Sequence, residues 1–93
     1  MTPRVECEAL AIGWRCTVTV GDDAGATTHE VTIDPQTLAG LAPTYGAEQL
    51  VLASFAFLLE REPRESIMRR FDLSIIGRYF PEYPDEIRRR LGG

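Results

Sequence analysis

Neither lysine nor asparagine occurs among the 93 residues of this chain, so all ten basic side chains are arginine. Both missing residues have AT-rich codons, which points to a GC-rich coding background. Abundant arginine is therefore a weak sign of nucleic-acid binding here. Only two cysteines, Cys7 and Cys16, and one histidine, His29, are present. Disulfide frameworks of small secreted domains usually carry more cysteines, so two reduced thiols and a cytoplasmic address are the expectation. On a single extended strand the two would lie about 30 Å apart, far beyond bridging distance. No CxxC or HxxxH spacing occurs, and the few Cys and His residues are too sparse for a zinc site; no metal and no cofactor are expected. The longest dense apolar run, Leu50 to Leu59, has ten residues, whereas a membrane span needs about 20. The opening "MTPRVECEAL" lacks a basic start followed by an apolar block, so neither a signal peptide nor a membrane is anticipated.

Catalytic patterns are scarce as well. There is no GxSxG, P-loop or dinucleotide GxGxxG. A Ser or Cys nucleophile would have only one histidine available as its base. Glu60, Glu62 and Glu65 read as a solvated charge run rather than an acid/base pair. No enzyme activity, catalytic residue or small-molecule substrate is expected.

What is present divides by texture. Hydrophobic residues make up 44% and charged residues 26%, an ordinary globular composition for one domain over residues 1–93. From Val5 to Ile33 the apolar residues alternate. Leu10, Ile12, Trp14, Cys16, Val18 and Val20 share one parity, and Val5 and Cys7 the other, so a break is expected between Ala9 and Gly13. "GDDAGA" has turn composition, and alternation resumes through Val31 and Ile33. His29 shares the parity of Val31 and reads as a half-buried packing residue. This half predicts an antiparallel hairpin, or a three-stranded sheet if residues 3–9 add a strand.

Helical signals begin at Asp34, a natural N-cap followed by Pro35. The strongest element is "AEQLVLASFAFLLERE", in which nine of the ten residues from Leu50 to Leu59 are apolar. Such a helix should be covered on most sides. Pro63 restarts the chain, and three short helices are expected in "PRESIMRRF", "LSIIGRYF" and "DEIRRRL", with Asp72 and Pro84 as starts. Ile67, Phe71, Ile75, Ile76, Tyr79, Phe80, Ile87 and Leu91 would pack them on the central helix. The fold expectation is α+β: an N-terminal hairpin or three-stranded sheet on a buried central helix, with three short C-terminal helices.

"IMRRFDLS" resembles the centre of tetracycline-repressor-like helix-turn-helix proteins, and "RYFP" the motif closing their recognition helix. The resemblance implies Ile67 and Phe71 as first-helix core, Leu73 as the turn hydrophobe and Ser74 as the recognition-helix cap. Met68 and Asp72 stand where that family has a small residue and Gly, and the segment from Ser74 to Pro81 is two residues short of its spacing. On this alternative, nucleic acid would be met by Arg69, Arg70, Ser74, Arg78, Arg88, Arg89 and Arg90. Residues 1–60 hold two arginines against eight acids, net −6, and residues 61–93 eight against six, net +2. The total of −4 opposes phosphate binding. "FLLEREPRESIMRRFDLSIIGRYFPEY" also resembles small uncharacterised proteins of GC-rich actinobacteria, which implies a compact cytoplasmic domain and no activity. The ending "RRRLGG" resembles the tail of ubiquitin-like modifiers, although a helix stop explains it more simply. The functional expectation is a small interaction module that pairs with itself or another protein.

Overall fold

Strand β1 (Arg4–Ala9) turns back at Leu10–Gly13 onto β2 (Trp14–Val20), and β2 turns back onto β3 (Thr27–Ile33). This computed structural model describes residues 3–22 and 24–92. The first turn closes with the Leu10 N–H donating to the Gly13 carbonyl at 2.9 Å. Gly13 has φ of +83°, and a Cβ there would strike the Ile33 carbonyl oxygen, so both backbone and space require glycine. The expected break thus falls where the parity changes. Leu10 and Ile12 are turn residues, with Ile12 78% exposed, and not strand residues facing a core.

That turn also overturns the expectation of two free thiols. Cys7 and Cys16 lie opposite each other across β1 and β2, with Cα atoms 4.0 Å apart, and form a disulfide. Nine residues of separation would hold them apart on one strand, but the turn between them sets the two side by side.

Helix α1 (Pro35–Leu41) starts as its residues dictate: the Asp34 carboxylate accepts the Thr37 N–H at 2.7 Å, and Pro35 occupies the first turn. Helix α2 (Ala47–Leu59) opens at Gly46, whose N–H donates to the Gln49 side-chain oxygen at 3.0 Å. It crosses β1 and β2. Leu50, Val51, Phe55, Phe57 and Leu58 are buried there, with Cys16, Val18, Val31 and Ile33 of the sheet also in the core. The expectation that α2 is covered on most sides holds for that face only. Leu52 is 37% exposed, Ala56 is also exposed, and Ala53 and Leu59 are half-buried beside them.

The C-terminal half departs from expectation at its start. "PRESIMRRF" is not a helix: a single 3-10 turn at Arg64–Ser66 leads into extended chain and strand β4 (Arg70–Asp72), which pairs parallel with β3. The sheet is therefore four-stranded and mixed, in the order β1-β2-β3-β4. Phe71 explains the choice. Its ring enters the core beside Phe55, centroids 6.2 Å apart, while Arg70 and Asp72 face out, an alternation a helix cannot provide. A 3-10 turn (Leu73–Ile75) then runs into α3 (Ile76–Tyr79), capped by Asp72, and α4 (Tyr83–Arg90) packs on α2. Tyr79, expected in the core, is 67% exposed. Among the described residues no helix is long and apolar enough to cross a membrane.

Candidate functional site

Two sets of polar contacts hold the segment around Met68 and Phe71 against the sheet, one buried and one at the surface. His29, fully buried on β3, reaches the Met68 carbonyl through Nδ1 at 2.8 Å and the Thr27 hydroxyl through Nε2 at 2.9 Å. A carbonyl can only accept, so Nδ1 carries the proton and Nε2 accepts from Thr27. Burial first, and Arg69 nearby, hold the imidazole below its ordinary pKa, against the raising effect of the Met68 bond. The ring is a neutral strut with both nitrogens engaged, more deeply buried than the sequence suggested. On the outer side, Asp72 accepts from the Thr32 hydroxyl at 2.8 Å and from the Ser74 N–H at 3.1 Å. Burial would raise its pKa, yet the bonds from Ser74 and Thr32 hold it below the usual carboxylate range.

Between this docked segment and the end of α2 lies an apolar groove of about 380 Å³. Leu58, Met68, Phe71, Ile75, Tyr79 and Phe80 supply its apolar lining. Met68 is 44% exposed at its mouth. The lining offers Glu62 as its one ionisable acid and no histidine, cysteine or arginine. Such a surface can take up apolar side chains. Among the described residues no group of three or more His, Cys, Asp and Glu side chains could hold a metal.

Of the seven residues anticipated for nucleic acid, Ser74 and Arg88 line one shallow surface pocket, and five of the seven already have side-chain partners within the chain. Arg70 lies on β4 near Glu30 at 3.6 Å. Arg88 pairs with Asp85 at 3.2 Å and also donates to the Gly40 carbonyl at 3.0 Å. Arg89 is bound to Glu86, and Arg90 bridges Glu60 at 2.6 Å and Glu86 at 3.1 Å. Ser74 spends its hydroxyl on Asp72. Arg69 and Arg78 have no ion pair among the described residues, and each is the chain neighbour of a groove residue, Met68 and Tyr79 respectively.

No family model, curated protein or solved structure matches the chain. Of the groove residues, the sequence places Ile67, Phe71, Ile75, Ile76, Tyr79 and Phe80 in the core, as side chains packing short helices on α2, and gives Met68 no such place.

Proposed function

We propose that this protein is a non-catalytic interaction module that associates with itself and presents the Met68–Tyr79 groove to apolar side chains of a protein partner. The groove carries this reading. It leaves Met68 and Tyr79 at the surface of a small domain whose other large side chains are mostly buried, and exposed apolar clusters mark contact sites. Arg69 and Arg78 beside it favour a partner segment bearing acids. The exposed Leu52 and Ala56 of α2 add a second uncovered surface suited to a second copy.

The nucleic-acid alternative is weaker. Arg88, Arg89 and Arg90 already meet carboxylates, which would have to be displaced by phosphate, and the chain carries a net charge of −4. The segment that should supply a first helix is extended, so the exposed second helix that base reading requires has no support. The cytoplasmic expectation also loses its footing. A disulfide between Cys7 and Cys16 persists in oxidising surroundings and is reduced in a glutathione-buffered cytoplasm.

Sedimentation velocity over a micromolar concentration series at low salt tests self-association. A species heavier than one chain is expected to grow with concentration. A single-chain species throughout would refute the reading.

A further inference from the structure

The free edge of the sheet carries more information than the groove. The Leu10 N–H bonds the Gly13 carbonyl, and positions along an antiparallel pair alternate between hydrogen-bonded and non-hydrogen-bonded. Counting back from that bond, Ala9–Trp14, Cys7–Cys16 and Val5–Val18 are the non-hydrogen-bonded pairs. The short Cα separation of 4.0 Å at Cys7–Cys16 agrees independently. The N–H and C=O groups of Val5, Cys7 and Ala9 therefore point away from β2, out of the sheet. Strand β1 is one of the two edges, β4 being the other, and among the described residues no segment but β2 makes backbone bonds to it.

The side chains on its solvent face are Arg4, Glu6 and Glu8. Glu8 already accepts from Arg15 at 3.0 Å. Arg4 and Glu6 have no ion pair among the described residues. An open strand edge with one unmatched cation and one unmatched anion invites a copy of itself.

Pairing of β1 with a second β1 is restricted by parity, because side chains opposite each other must lie on the same face. With Val5 opposite Val5 at the two-fold axis, Arg4 faces Glu6 of the second copy, and the second copy's Arg4 faces Glu6. Shifting the register one way sets Arg4 against Arg4. Shifting it the other way sets Glu6 against Glu6, and a further shift sets Glu6 against Glu8. Like charges directly opposite are destabilising. We propose, building on the self-association above, that two copies join edge to edge through β1 in the Val5-centred register, extending the sheet across the dimer. Val5 N–H then donates to the second copy's Val5 carbonyl in both directions, and Cys7 N–H to its Pro3 carbonyl. The Arg4–Glu6 contacts fall at the non-hydrogen-bonded positions, where side chains come closest. Because α2 crosses β1, the same arrangement brings the two α2 helices to neighbouring places on one side of the extended sheet. Their exposed Leu52 and Ala56 are then available to cover one another.

The test is a charge exchange, read as the dimer dissociation constant by sedimentation or light scattering. Arg4→Glu should weaken association about tenfold, equivalent to about 1.4 kcal/mol. Adding Glu6→Arg to the same chain should restore it, because the exchanged pair meets its complement in this register; in the register that sets residue 6 against residue 8, Arg4 has no charged residue opposite and Arg4→Glu would not weaken association. Both positions are exposed, and matching far-UV circular dichroism and unfolding midpoints would establish that the variants fold. A wild-type dimer indifferent to Arg4→Glu, or a double variant no tighter than the single, would overturn the β1 edge while leaving self-association standing. A wild-type protein that stays monomeric would overturn both.

Discussion

Removing the Tyr83 hydroxyl should cost less than removing the Ser54 hydroxyl it meets, and the two losses should not add. Ser54 lies fully buried in the middle of α2, with its Oγ 2.7 Å from the Leu50 carbonyl and 2.6 Å from the Tyr83 hydroxyl. The carbonyl can only accept, so the single Ser54 proton goes to Leu50 and Tyr83 donates to Ser54. In Tyr83→Phe, Ser54 keeps its bond to Leu50 and loses one bond that it accepted, a cost of about 1 kcal/mol. In Ser54→Ala the phenolic O–H, on a residue only 2% exposed, is left with no acceptor. That orphaned donor costs about 1–3 kcal/mol, offset by about 0.5 kcal/mol because alanine favours the helix. The double variant removes donor and acceptor together and should be about as stable as Tyr83→Phe, giving a coupling of about 1–2 kcal/mol. Urea unfolding of all four proteins measures this, provided the denaturant slopes agree. If the double variant lost the sum of the two single losses, the proposed donor direction and the burial of the pair would both be wrong.

The remaining expectations concern the core and pH. Phe57 is fully buried, meets Phe80 and Tyr83 edge-on with centroids 5.7 and 5.3 Å away, and lies under the Arg61 guanidinium at 3.6 Å. Phe57→Ala should therefore cost about 3–5 kcal/mol, and a denaturant midpoint that barely moves would contradict its central place. His29 is held neutral in the fold, so the unfolded chain binds its proton more readily. Its contribution is complete above the unfolded pKa of about 6.5 and is lost as pH falls below it. Unfolding midpoints should drop between about pH 7 and pH 5, and a flat response in that window would refute the buried neutral ring.

The parts of the fold that could be read in the sequence are those set by near neighbours. Alternation through Cys16, Val18, Val31 and Ile33 identified β2 and β3, and Asp34 followed by Pro35 identified α1, because strand pleat and helix capping act over a few residues. Strand β4 was hidden by its shortness. Ile67 and Phe71 are four apart, which suits a helix face, while Phe71 and Leu73 are two apart, which suits a strand. Burial against Phe55 and docking to β3 decide between them, and neither lies within the local window. The disulfide was hidden for the same reason, since its register depends on how tightly Leu10–Gly13 turns. The groove followed β4 into obscurity: a helix through Met68 would have closed the space that the extended chain leaves open.

The parallel seam between β3 and β4 also fixes an order of assembly. Strands β1, β2 and β3 meet through short turns, so their pairing closes small loops at little entropic expense. The seam is different. Its side-chain ties, His29 to Met68 and Thr32 to Asp72, join residues 39 and 40 positions apart, with α1 and α2 lying between. Such contacts form slowly, because a long stretch of chain must be ordered before they give anything back. On that ground the Cys7–Cys16 pairing is expected to form before β4 docks, which refolding followed by cysteine trapping would check. The groove exists only once the last strand has docked, so its lining reports on a completed fold.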